Sequence, residues 1–349
     1  MNRLLFRLST IVLPVGALIC LFNYFVDPAN IFTSKKYVAG IAAILSQGHN
    51  VDQVSNYNER LLQEQMVRRL SKTPDIIILG SSRIMEIGSD FFPGKKVLNC
   101  GVSHANVNDL VALTGLLDSL GRLPAELYIN LDPDLISEKG TSEWQSLSAY
   151  YDRFINRNSP AGTATEETGG SNEAHKIYSL VSFAYFKESV NFLIKGSTKK
   201  YYDVGSDQPP LYGRFSDGSI CYPASYTHPD TLKIASDALR IGSSQGLFQP
   251  DSARMELLGS LIDFLNKKNV RIHFIMLPFH PAFYQGVNNH QPGLFNKYEK
   301  YFRNLASQKR VSIKGDFDAT ALHIPGSSFY DMYHCSKAAI QSLSLTDQP

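Results

Sequence analysis

An α/β fold, a three-layer α/β/α sandwich around a parallel sheet of about five strands, is what this sequence predicts. Three observations lead there. Apolar runs too short for helices, such as Ile76-Ile77-Ile78-Leu79, end abruptly in Gly, Asn, Asp or Pro. Longer segments with apolar residues at helical spacing lie between those runs. Their alternation implies parallel strands joined by right-handed crossovers.

The first element is apolar. Arg3 and Arg7 precede Leu8 to Val26, a run interrupted by Ser9, Thr10 and Asn23. Its length is close to the roughly 20 residues that span a bilayer. The expectation is one N-terminal transmembrane helix, a single-pass membrane anchor over residues 1–28. Its N-terminus would be cytoplasmic and the rest of the chain extracytoplasmic, in a periplasm or at a cell surface. A cleaved signal peptide fits less well, because Asn23 to Pro28 offers no small-x-small site. A lipid-modified Cys20 would follow a bulky Ile19, and a buried core helix is the plain alternative.

Residues 29–73 read as a juxtamembrane connection and a helix over Asn56–Leu70, with Leu61, Leu62, Met66 and Leu70 on one face. The α/β domain is expected over 74–349. Its first strand is Asp75–Leu79 and its second Lys96–Asn99. A helix over Ala105–Leu120 stops at Gly121, and Glu126–Leu131 is the third strand. The rhythm then breaks into an insertion at about 140–245. Within it, Asn156–Asn172 reads as a loop, His175–Lys195 as an amphipathic helix and Tyr201–Pro229 as loop-rich. Asp251–Lys268 is a helix, Val270–Leu277 the fourth strand, Leu294–Ala306 a helix and Val311–Lys314 the fifth strand. A short helix over Lys337–Leu345 ends the pattern.

Composition excludes several functions. The net charge is +2 with 19% charged residues, so no strong field points to nucleic acid. Cys20, Cys100, Cys221 and Cys335 lie far apart without metal-ligand spacing. Walker and dinucleotide-binding glycine patterns are missing, so no metal or cofactor is expected.

In an open α/β sheet, ligands bind outside the carboxyl ends of the strands. Gly80-Ser81-Ser82-Arg83, Asn99-Cys100-Gly101, Asn130 to Asp134 and Pro278 to Pro281 all fall at such ends. A serine on the first turn can be a nucleophile if a base reaches it. Asp331 and His334, three apart in a turn before the last helix, can supply an imidazole base and the carboxylate that orients it. The plainer readings are a helix cap for Ser82 and for Asp331, and an ordinary surface histidine for His334. Arg83 suits bidentate binding of a substrate carboxylate or phosphate, or a structural ion pair. His280 lies at the reactive edge, where it would line the substrate site or simply form a turn.

In order and placement these blocks resemble the SGNH, or GDSL-like, hydrolase superfamily. Gly80-Ser81-Ser82 is similar to its nucleophile block, Asn99-Cys100-Gly101 to its second block and Asp331-Met332-Tyr333-His334 to its last. The resemblance covers about residues 74 to 345, the insertion excepted, and implies a catalytic triad of Ser82, His334 and Asp331. It also implies oxyanion contacts at Gly101. The third block departs: Ile129-Asn130-Leu131-Asp132-Pro133 lacks the family's Gly-x-Asn-Asp, and Asn130 lies one residue early as a donor. The Gly-Ser-Ser form with an N-terminal anchor most resembles membrane-tethered members that transfer D-alanyl groups or acetylate alginate-type exopolysaccharides. The implied function is O-acyl transfer to a cell-envelope or exported polysaccharide, with an integral-membrane partner delivering the acyl group. The alternatives are a carbohydrate esterase and a non-catalytic glycan-binding or scaffold protein.

Overall fold

A computed structural model describes residues 2–28, 31–158, 177–194 and 201–345. In chain order its strands are β1 (Asn50–Asp52), β2 (Ile76–Leu79), β3 (Val97–Asn99), β4 (Glu126–Asn130), β5 (Tyr202–Gly205), β6 (Gly213–Arg214), β7 (Ile220–Cys221), β8 (Arg271–Met276) and β9 (Ser312–Gly315). Five of them form one sheet in the order β3-β2-β4-β8-β9. Every pairing in it is parallel.

Successive side chains of a strand face opposite ways, and both faces of this sheet are covered. Ile77 and Leu79 join Leu127, Ile129 and Phe274 in a large core under helices Glu59–Arg69, Val107–Ser119, Ser252–Lys267 and Leu294–Lys309. Ile76 and Ile78 join Tyr128 and Ile275 in a smaller core, closed by Ile84, Phe92, Phe329 and Ile340. Burial on both sides is why β2 reads as an unbroken apolar run. The caps are local. Asn58 accepts from the Leu61 N–H at 3.0 Å, and Asn106 and Asp109 form a capping box.

The transmembrane expectation is corrected here. Among the described residues no helix is long and apolar enough to cross a membrane. The helix Asn2–Val26 exists and contains Pro14, and its C-terminal end packs on protein. Its fully buried Asn23 donates to the carbonyls of Ser179, Leu180 and Ser182 at 2.9–3.2 Å. Phe22 packs on Phe186 of the helix Phe183–Ile194, with ring centroids 5.1 Å apart. Asp27 accepts from the N–H groups of Ile31, Phe32 and Thr33 and from the Tyr185 hydroxyl. Its carboxylate closes the turn that leads to the next helix, Ser34–Leu45. That helix buries Val38, Ile41 and Leu45 in the large core, so residues beyond 31 belong to the α/β body.

The insertion holds more order than its composition suggests. Strands β5, β6 and β7 pair antiparallel with or beside β1, in the order β5-β1-β6-β7. Three or fewer residues in β1, β6 and β7 are too few to leave a periodic signature. The helices Thr231–Ser244 and Pro281–His290 also arise where no element is expected from sequence. They pack with Gly242 and Gly286 face to face, each glycine meeting backbone of the other helix. Of the loop expected over Asn156–Asn172, residues 156–158 close the helix Ser148–Asn158, and the remainder lies outside the described residues.

Gly115 gives a test of this packing. A Cβ there would overlap the Tyr150 carbonyl oxygen of the facing helix. Gly→Ala inside a helix normally stabilises by up to about 1 kcal/mol. Gly115→Ala is instead expected to destabilise by about 1–3 kcal/mol, read as a lower urea midpoint at unchanged m.

Candidate active site

The sheet order places the site. In chain order the strands of the parallel sheet run 2-1-3-4-5, so the connections diverge to opposite sides between β2 and β4. The crevice at such a switch point is where open α/β sheets bind ligands. The turn after β2 carries Ser81 and Ser82; β4 ends on Asn130, and the turn after it carries Asp132. Gly80 is required by close approach: a Cβ on it would meet the Asn130 Cβ at 2.5 Å.

Ser82 opens a 3-10 turn, Ser82–Ile84, and Ser81 caps it by accepting from the Arg83 N–H at 3.3 Å. The two serines are thereby separated. Ser81 Oγ points inward to Asp132 and to Asn130 Oδ1. Ser82 Oγ points out to His334 Nε2, 2.9 Å away. His334 Nδ1 lies 2.9 Å from Asp331 Oδ2 and 3.1 Å from Oδ1. Asp331 also accepts from the backbone N–H groups of Tyr333 and His334, both at 2.7 Å, and from the Tyr226 hydroxyl at 2.7 Å. Burial alone would raise its carboxyl. The hydrogen bond and charge of His334, then the Tyr226 hydroxyl, outweigh burial and hold it well below the usual carboxylate range. An ionised Asp331 only accepts, so neutral His334 carries its proton on Nδ1 and offers Nε2 as the acceptor for the Ser82 hydroxyl.

The other residues singled out from sequence have different surroundings. Arg83 is buried, and its guanidinium is occupied by protein groups. It pairs with Asp132 and donates to the carbonyls of Leu277 (2.5 Å), Pro278 (2.7 Å) and Tyr333 (3.0 Å). Its face lies 3.9 Å from the Phe279 ring centroid. His280 caps the helix Pro281–His290: its Nδ1 accepts from the Ala282 N–H at 3.1 Å and its backbone N–H donates to Met332. Burial pushes its imidazole down, against the nearby charge of Asp331. Asn130 turns its amide to the Ile275 carbonyl at 3.3 Å. The Gly101 N–H donates to Asn99 Oδ1 at 2.8 Å, while the Asn99 amide holds the carbonyls of Ile84 and Ile87. The Gly101 N–H and one Asn130 amide N–H are thus engaged inside the protein. The Ser82 N–H, first in its turn, receives no partner from the helical ladder.

Three tyrosines absent from the sequence reading stand beside the triad. Tyr222 and Tyr226 come from the insertion and Tyr330 precedes Asp331. Their ring centroids lie 4.9–6.3 Å from one another, and those of Tyr222 and Tyr226 lie 6.2–6.3 Å from the His334 ring. A Tyr-Pro pair in a loop carries no sequence signal for such a role. Tyr330 in turn donates to Glu86 at 3.4 Å. Burial pushes the Glu86 carboxyl up to about 7, against the opposing pull of Lys337 and the Tyr330 hydroxyl. A search against protein-family models and curated proteins returns no match.

Two measurements probe these surroundings. Arg83→Met leaves Asp132 buried without its counter-charge and is expected to destabilise by about 3–5 kcal/mol, with Asp132→Asn added to it restoring part of the loss in the urea midpoint. Glu86 has a folded value raised above its unfolded one, so its contribution to stability is lost as pH rises from about 4.5 to about 7. Glu86→Gln is expected to raise the melting temperature by several degrees at pH 8 and to leave it nearly unchanged at pH 4.5.

Proposed function

We propose that this protein is a serine acyl-ester enzyme of SGNH type that works through an acyl-enzyme on Ser82. The observation that carries the reading is the relay of two 2.9 Å contacts, from Ser82 Oγ to His334 Nε2 and from His334 Nδ1 to Asp331. It joins residues 252 apart in sequence, which a helix cap and an unrelated surface histidine would not do.

The chemistry follows from the atoms. Ser82 Oγ attacks an acyl carbonyl as His334 Nε2 takes its proton. Asp331, held by two backbone N–H groups and Tyr226, steadies the imidazolium that forms. The Ser82 N–H is the candidate donor to the developing oxyanion. His334 then returns the proton to the leaving oxygen, and a hydroxyl acceptor, deprotonated by the same nitrogen, takes the acyl group. A polysaccharide hydroxyl is the acceptor we favour. The three tyrosine rings beside His334 support an organic acceptor with apolar ring faces. Water in the acceptor's place would make the same triad an esterase.

The test uses the full chain, a chromogenic acetyl ester and a fluorophosphonate probe. Ser82→Ala and His334→Ala are each expected to lower acyl release by about a thousandfold or more, and Ser82→Ala to abolish labelling. Labelling of Ser82→Ala at the wild-type level would remove Ser82 as nucleophile. Release accelerated by added glycan, with acyl groups recovered on sugar hydroxyls, assigns transfer; release unchanged by glycan assigns hydrolysis.

A further inference from the structure

We propose that Tyr226, delivered by the insertion, is a positioning residue of the Ser82–His334–Asp331 relay, its hydroxyl fixing the Asp331 oxygen that faces the imidazole. The proposal rests on the reading of Ser82 as the nucleophile. The two oxygens of Asp331 have unlike partners. Oδ1 accepts from the Tyr333 and His334 backbone N–H groups, which belong to the same turn, and lies 3.1 Å from His334 Nδ1. Oδ2 has the Tyr226 hydroxyl at 2.7 Å and His334 Nδ1 at 2.9 Å. Tyr226 is the one partner of this carboxylate, among the described residues, that comes from another part of the chain.

The same hydroxyl oxygen lies 3.0 Å from His334 Nδ1. With its own proton given to Oδ2, that oxygen is a second acceptor beside the Nδ1–H. The imidazole is therefore held between a carboxylate and a phenol, and its rotation away from Ser82 costs contacts to both. Burial, then the charge of Asp331, pushes the Tyr226 phenol up, so it keeps its proton and serves as a donor at any working pH.

The placement is anchored. Tyr226 sits in the short helix Ala224–Thr227, directly after β7. The Ile220 N–H of β7 donates to the Met85 carbonyl at 2.8 Å, in the turn that follows Ser82. Tyr226 packs against Tyr222 and Tyr330. The charged and titratable groups around this contact are Asp331, His334, Tyr222 and Tyr330, with Glu86 behind Tyr330 and His280 and Tyr333 on the far side of Asp331.

The experiment compares full-length wild type, Tyr226→Phe and Ser82→Ala by the pH dependence of fluorophosphonate labelling and of acetyl-ester turnover. Phe keeps the ring and deletes only the hydroxyl. Without that hydroxyl, Asp331 loses a donor and the imidazole loses a second acceptor. The expected result is an acid limb displaced by about half a pH unit or more, a kcat lowered about tenfold and a KM within twofold of wild type. An unmoved limb with unchanged kcat, or a loss confined to KM, overturns the proposal. So does a Tyr226→Phe chain that fails to fold, because the hydroxyl would then serve the fold. Ser82→Ala separates the two levels. If it labels like wild type, the nucleophile reading fails. If it is inert while Tyr226→Phe matches wild type, only the role of Tyr226 fails.

Discussion

The guanidinium of Arg83 lies inside the carboxyl edge of the sheet, and taking such an ion out of water costs several kcal/mol unless each of its donors is met. Here they are met by three segments, and the guanidinium joins them to a fourth. Asp132 belongs to the turn after β4, the carbonyls of Leu277 and Pro278 to the turn after β8, and the carbonyl of Tyr333 to the loop that bears His334. The fourth segment is the Ser82 turn itself, since Arg83 is the next residue. A planar fork with fixed donor directions accepts few arrangements of these loops. The distance from Ser82 to His334 is thus set largely by one buried side chain that touches neither. Arg83 reads from sequence as a group for binding substrate or for a structural ion pair, and its burial and its pairing with Asp132 favour the second.

The same economy of donors shapes the oxyanion question. A hole of two or three donors is worth a factor of 10²–10³ for each one removed, in systems where it has been tested. Gly101, the donor implied by the SGNH resemblance, gives its N–H to Asn99 Oδ1. Freeing it requires Asn99 to rotate, and Asn99 is pinned by its two bonds to the Ile84 and Ile87 carbonyls. Those carbonyls lie in the segment that follows Ser82. Asn130 gives one amide N–H to the Ile275 carbonyl, while its Oδ1 accepts from Ser81. With few donors left at this edge, the proposed chemistry would lean on the orientation of the imidazole, and so on whatever holds Asp331.

What the sequence disclosed follows from physics that acts locally. The β2 run, the β4 run and the helices Glu59–Arg69 and Ser252–Lys267 are legible because burial repeats with a fixed period. Ser82, Asp331 and His334 were legible because their residue types and order carry chemistry. The antiparallel sheet was not, since β1 lies more than 150 residues from its partner β5 and its strands are a few residues each. Tyr226 was hidden for the same reason: a tyrosine in a loop rich in Pro, Ser and Gly gains meaning only from the carboxylate it meets. The N-terminal segment shows the opposite error. Apolar length suggested a bilayer, whereas Asn23 finds its three acceptors in the backbone of residues 179–182.

These points converge on the insertion. Its strands extend from β1, which enters the core beside the helix Ser34–Leu45, and they end at β7 against the Met85 carbonyl. The fully buried Arg214 of β6 reinforces that junction, donating to Tyr57 at 2.7 Å, to the Gly218 carbonyl at 2.8 Å and to Glu59 at 3.2 Å. A second buried guanidinium therefore fixes the segment that carries Tyr222 and Tyr226, just as Arg83 fixes the segments that carry Ser82 and His334. Two clamps on separate sheets meet at one carboxylate. Asp331 is steadied from the α/β body through its own turn and from the antiparallel sheet through a phenol. The Ser82–His334–Asp331 contacts are thus braced from both sheets, one of them in a part of the chain that looked like a loop.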